Sequence, residues 1–127
     1  MTARKAPPEI HVQAAMRDPR VLEAFATRSD VDPMWRDRAA CKDVDPELFY
    51  TEGMGMGNPA GLQYAAMMTC QRCPVQTPCL ARALDTGDLF AVMGCTTPAD
   101  RNPMIVAWRR LLDAERAAAV DGELVSA

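Results

Sequence analysis

The chain has 127 residues and a net charge of −3, a length that fits one domain with some chain left for tails. Charge is spread as +1 over residues 1–40, −3 over 41–95 and −1 over 96–127, so no segment carries the basic stripe of a protein that grips nucleic acid by itself. No run approaches the roughly 18 apolar residues that cross a bilayer, and Arg4 and Lys5 lead into Pro7-Pro8 rather than an apolar stretch, so neither a membrane span nor a secretory signal is expected.

In chain order, helix starts are marked by a capping residue followed by proline: Asp18-Pro19, Asp32-Pro33, Asp45-Pro46, Asn58-Pro59, Thr77-Pro78, Thr97-Pro98 and Asn102-Pro103. The side chain accepts from orphan N–H groups of the first turn, and proline suits N1 because its missing N–H would be unpaired there; some of these pairs can equally open plain turns. The pattern predicts helices over Pro19–Arg28 and Pro33–Ala40, and a single turn after Pro46. After the glycine-rich loop Gly53–Gly57 it predicts helices over Pro59–Gln71, Pro78–Thr86 with a stop at Gly87, and Pro103–Val120. In the last, Ile105, Trp108, Leu111, Leu112 and Glu115 share a face opposite Arg109, Arg110, Asp113 and Arg116, and the acidic end from Asp121 is expected to fray. No segment alternates with period two, so the expected fold class is all-α: a small bundle of short helices with one tight turn near residues 90–97. Three stretches follow: an N-terminal extension with a short helix (1–32), a cysteine-bearing domain (33–101) and a C-terminal amphipathic helix with an acidic tail (102–127).

Five cysteines in a chain without a signal point to a reducing, cytoplasmic setting where thiols serve metals or redox chemistry, and the odd count leaves one over from any disulfide framework. Four are grouped as Cys41-x28-Cys70-x2-Cys73-x5-Cys79. Thiolates bind both zinc and iron–sulfur clusters. Structural zinc usually brings two short knuckles and here there is one, with the lone His11 expected at the surface. Cys79 falls in a first helical turn, where the positive helix end favours thiolate, and Cys73 precedes Pro74 as in many cluster-binding runs. A zinc site, a dithiol redox pair at Cys70 and Cys73, and two disulfides stay open as rivals of an iron–sulfur centre.

The run Trp35-x3-Ala39-x-Cys41, then Asp45-Pro46-Glu47-Leu48-Phe49, then Cys70-x2-Cys73-Pro74-Val75-x3-Cys79-Leu80-x2-Ala83-Leu84, resembles the WhiB-like proteins of actinobacteria and their phages, over residues from about Trp35 to Arg101. The resemblance implies a [4Fe–4S] cluster on Cys41, Cys70, Cys73 and Cys79 within a helical bundle. It also implies a non-enzymatic transcription regulator that binds region 4 of the primary sigma factor and responds to oxygen or nitric oxide. Expected partner contacts are Trp35, Phe49, Val92 and Met93. Trp35 and Phe49 serve equally as core, and Phe90, also near this surface, is expected in the core.

Two departures bear on that expectation. Where the family carries Gly-Val-Trp-Gly-Gly or Gly-Ile-Trp-Gly-Gly, this chain has Ala91-Val92-Met93-Gly94-Cys95. Met93 offers less area than the tryptophan it replaces, and Cys95, expected as a small buried hydrophobe, stands where glycine would permit positive φ. The C-terminal end lacks a basic cluster. Arg101, Arg109 and Arg110 could touch phosphates of promoter DNA held nearby, with weak, salt-sensitive binding of their own. The rival functions are a cluster-free thiol–disulfide reductase and a zinc-stabilised protein-binding module.

Overall fold

A computed structural model describes residues 6–49 and 59–126, the side chains of residues 59–62 and 123–126 excepted. It is all-α. Five helices occur in the order α1 (Glu9–Ala15), α2 (Pro19–Thr27), α3 (Pro59–Gln71), α4 (Gln76–Thr86) and α5 (Pro98–Ser126). Single 3₁₀ turns at Arg28–Asp30, Trp35–Arg38, Ala40–Asp43 and Pro46–Phe49 follow α2 within residues 28–49. Among the described residues there is no strand, only a tight turn in which Met93 and Thr96 exchange backbone hydrogen bonds of 3.1 and 2.9 Å.

The proline rule holds at two of the Asp-Pro sites and fails at a third that is capped in the same way. Asp18 accepts from the Arg20 N–H at 2.9 Å and starts α2, and Asp45 accepts from Glu47 N–H at 3.0 Å and starts the turn at Pro46. Asp32 accepts from Met34 N–H at 2.9 Å, but the helix predicted over Pro33–Ala40 is two 3₁₀ turns instead. Ala39 is extended (φ −67°, ψ 135°), and the N–H of Ala40 goes to the sulfur of Cys73 at 3.4 Å rather than to a helical carbonyl. The Asn58 cap and the Gly53–Gly57 loop lie outside the described residues.

Helix α4 begins two residues before Pro78, since proline within a first turn removes no helical bond, and it ends at Gly87 in the left-handed conformation (φ 70°). Helix α5 begins at Pro98, five residues earlier than expected. There Thr97 and Asp100 form a reciprocal capping box, with Asp100 N–H donating to Thr97 Oγ1 at 3.1 Å and Thr97 N–H to Asp100 Oδ2 at 3.0 Å. Pro103 then sits inside the helix, and the acidic end expected to fray is helical through Ser126. Helix α1 was not anticipated: it is two turns held by burial of Val12 and Ala15, three residues apart.

Two apolar cores result. The larger joins α1, α2, α4 and α5 through Val12, Val21, Ala24, Leu80, Leu84 and Ile105 around the fully buried Trp108. Phe25 meets the Trp108 ring edge-on at 5.3 Å, and the Trp108 indole N–H donates to Asp85 Oδ1 at 3.3 Å. Ion pairs pin the outer helices: Arg110 grips Glu9 with two bonds of 2.6 and 2.8 Å, and Arg28 pairs with Glu115 while its guanidinium lies 3.9 Å over the Phe25 ring. The smaller core gathers Phe49, Ala66, Cys70, Ala91 and Val92 between α3, the Pro46–Phe49 turn and the loop after α4.

Candidate metal centre

Cys41, Cys70, Cys73 and Cys79, from four separate pieces of backbone, line one cavity of about 350 Å³ beside the smaller core. Cys41 sits on the Ala40–Asp43 turn. Cys70 closes α3, with Cys73 just beyond it, its N–H donating to the Cys70 carbonyl at 3.0 Å. The Gln76 side-chain amide caps the end of α3, donating to the carbonyls of Cys70 (2.6 Å) and Gln71 (3.2 Å). Cys79 makes the first main-chain bond of α4, to Val75 at 3.2 Å. Cys95 lines the same cavity, which the spacing argument did not anticipate. Among the described residues no three His, Cys, Asp or Glu side chains form a group that could hold a metal ion.

The accessibility of the four thiols differs. Cys41 is exposed, Cys73 and Cys79 are half-buried, and Cys70 is buried. Backbone amides supply polar partners to the sulfurs, from Ala40 to Cys73 at 3.4 Å and from Gly94 to Cys79 at 3.2 Å. The helix-end argument expected Cys79 to favour thiolate, but desolvation wins: burial pushes this thiol up to about 11, against the lowering effect of the Gly94 N–H. Burial likewise raises Cys70, partly offset by the backbone N–H of Cys95 facing its sulfur. A metal that takes these sulfurs as thiolates must therefore displace their protons.

The loop Asp88–Thr96 delivers those amides, and its conformation is special. Gly94 and Cys95 both have positive φ, 57° and 60°, so the conformation that Cys95 put in doubt is kept despite the side chain. A Cβ on Gly94 would come within 2.6 Å of the Leu80 Cα, so glycine is required there on steric grounds as well.

The loop is held from behind by Arg101. This residue was expected to face DNA phosphates, but it is wholly buried. Its guanidinium donates to the carbonyls of Asp88 (3.0 Å), Met93 (3.3 Å), Thr96 (2.9 Å) and Ala91, and to Thr96 Oγ1 (3.1 Å), with the Asp88 carboxylate at 3.5 Å. All its donors are used on one loop, so none is left for a phosphate. An isolated arginine near a helix start has no local signature of such a role, which is why sequence reasoning missed it.

Of the remaining candidates, Trp35 is half-buried on the cavity wall beside the Arg36 guanidinium (5.0 Å), and Met93 is half-buried on the same wall. Phe49 and Val92 are buried, 8% and 2% exposed, and the Val92 N–H donates to the Phe49 carbonyl at 2.8 Å; both belong to the core rather than to an outer contact surface. Phe90, expected inside, is 70% exposed. The Asp88 carboxylate captures the N–H groups of Phe90 (2.8 Å) and Ala91 (3.2 Å), and the turn throws Phe90 outward while Ala91 and Val92 go in. Arg109 is exposed, Arg110 is engaged by Glu9, and His11 is at the surface as expected.

A small helical fold with four thiols on one cavity defines a class of cysteine-centred all-α proteins. Residues 35–104 match the family described as transcription factor WhiB, and the chain belongs to that family. It is 44% identical over 71 residues to the transcriptional regulator WhiB1 of Mycobacterium tuberculosis (strain H37Rv), covering 55% of this chain and 82% of the relative. It is 34% identical over 90 residues to WhiB1 of Bifidobacterium longum (71% and 94% covered), and 34% over 91 residues to the transcriptional regulator WhiD of Streptomyces coelicolor (70% and 81%).

Proposed function

We propose that this protein is a cytoplasmic, non-enzymatic transcription regulator that holds a [4Fe–4S] cluster on Cys41, Cys70, Cys73 and Cys79. It acts by binding region 4 of the primary sigma factor and makes little DNA contact of its own. The observation that carries the reading is the convergence of these four thiols on one apolar-walled cavity, within the segment that matches the WhiB family. The donor set suits the group: four cysteine sulfurs line one apolar-walled cavity, and the backbone N–H groups of Ala40 and Gly94 donate to two of them, in keeping with the all-thiolate ligation of an iron–sulfur cluster. When bound, the cluster supplies a centre that oxygen and nitric oxide attack. The chain's own residues shield it with Phe49, Val75 and Val92, and leave it approachable at Cys41.

The sigma-binding surface, revised by burial, centres on Trp35 and Met93 at the cavity rim, with Phe90 as the exposed aromatic of the same loop. Among the three arginines only Arg109 stands both exposed and outside a cross-helix ion pair to Glu9, which supports weak DNA contact. The reductase alternative is disfavoured at Cys70, whose burial raises its thiol and holds back the nucleophilic thiolate.

Purification without oxygen, followed by iron, sulfide and zinc analysis, tests the cofactor. About four irons and four sulfides per chain are expected, and one zinc without colour would replace the sensor by a structural module. Trp35→Ala and Met93→Ala should each weaken co-purification with the primary sigma factor, by about tenfold or more in affinity if either is an anchor. Unchanged binding in both would remove this surface.

A further inference from the structure

Among the described residues Arg101 is the one ionised side chain buried completely, and nothing above gives it a task in the chemistry. Besides Arg101, the loop is tied by two backbone bonds between Met93 and Thr96, one from Val92 to Phe49, the Thr96 hydroxyl donating to the Met93 carbonyl at 2.6 Å, the Asp88 turn and the burial of Ala91 and Val92; Arg101 makes the largest set of bonds to it by one side chain. Yet that loop carries two successive residues with positive φ, one of them a strained cysteine, and presses Gly94 against the backbone of Leu80. Its reward lies on the other side. The Gly94 N–H donates to the Cys79 sulfur at 3.2 Å.

Resting on the cluster reading above, we infer that Arg101 is a positioning residue of the metal centre: its guanidinium locks the Asp88–Thr96 loop so that the Gly94 amide stays aimed at the Cys79 sulfur. Hydrogen bonds to ligand sulfurs, and a cation behind them, stabilise the more negative, reduced state of a cluster and so raise its potential. Arg101 thus sets how readily the centre gives up an electron. A guanidinium suits the task because its planar fork reaches several carbonyls at once, which an ammonium cannot do.

The test compares full-length wild type, Arg101→Met and Arg101→Lys, prepared without oxygen. Iron content, the midpoint potential of the cluster, and amide exchange at Gly94 are measured. The expected result is that Arg101→Met keeps its helices and its iron, shows a lower potential, and exchanges that amide about tenfold faster, as loss of a charged hydrogen-bond set implies. Arg101→Lys should fall between. A merely structural arginine would leave the potential of the loaded protein unmoved, and an unchanged potential with unchanged exchange overturns the inference. Should Arg101→Met fail to fold, Arg101→Lys decides alone: a lower potential with faster exchange confined to the loop supports the role, and wild-type values refute it. If the wild type itself holds no iron, the cluster reading fails first and takes this one with it, an outcome distinct from iron bound and potential unmoved.

Discussion

Gly94 and Cys95 are neighbours with opposite fitness for the same conformation. At Gly94 any side chain meets the Cα, Cβ and N atoms of Leu80 at 2.6 to 2.7 Å, and those backbone atoms adjoin Cys79 and cannot swing away. Gly94→Ala should therefore cost about 2 kcal/mol or more in stability and loosen iron binding, because relief requires pulling the turn off the ligand helix. Cys95 pays about 1 kcal/mol for its left-handed backbone, so Cys95→Gly should raise the melting temperature of the loaded protein by a few degrees. Cys95→Ser should keep full iron content while Cys70→Ser loses it. Anaerobic melts with iron analysis check all four variants, and iron loss specific to Cys95→Ser would mean that the ligand set is wrong.

Helix α1 carries a charge-dependent contact at its start. Arg110 holds Glu9 by two hydrogen bonds and lowers its carboxyl from 4.5 to about 2, helped by a further bond from Gln13. A depressed carboxyl stabilises its ionised, docked form, so the contribution is complete above pH 4.5 and is lost as pH falls towards 2. Both side chains are exposed, so salt should weaken the effect as well. The protection factors of the Glu9–Ala15 amides, taken relative to intrinsic exchange at each pH, should fall through that acid window in the native protein and stay level in Glu9→Gln; a wild-type profile as level as the variant's would show the pair to be idle.

The same element teaches what sequence can and cannot disclose. Helix α3, the Gly87 stop and the turn at Pro46 were legible because each is decided locally, by a proline, a cap or a left-handed glycine. Helix α1 was not, since two short turns with no side-chain cap owe their existence to Trp108 and its neighbours, about a hundred residues away. The Pro33–Ala40 stretch failed as a helix because its amide serves a sulfur distant in sequence. The gathering of the four cysteines on one cavity was legible by spacing, whereas the burial of Arg101 and Val92 and the exposure of Phe90 were not, because burial is a property of the assembled molecule.

At the level of the whole molecule the two cores are unequal in self-sufficiency. The helices α1, α2, α4 and α5 pack on one another over a continuous apolar centre, whereas α3 has its principal contacts with two 3₁₀ turns and borders the cavity. Removing the metal centre with a chelator should thus leave amide protection in α2, α4 and the first half of α5, and abolish it in residues 35–49 and α3. Hydrogen exchange on loaded and stripped protein would show this; uniform loss across all helices would mean that the larger core cannot stand without the smaller.

On the cluster reading proposed above, the graded accessibility of the four thiols gives the centre a direction. A reagent diffusing in from solvent meets Cys41 first, on a short turn that can yield, and Cys70 last, anchored at the end of a helix. Damage would begin at a corner whose loss leaves three ligands in place, a lesion that returning thiolate could mend before the interior is breached. In that reading Cys41 is the soft seam of the vessel, where an encounter with an oxidant would begin.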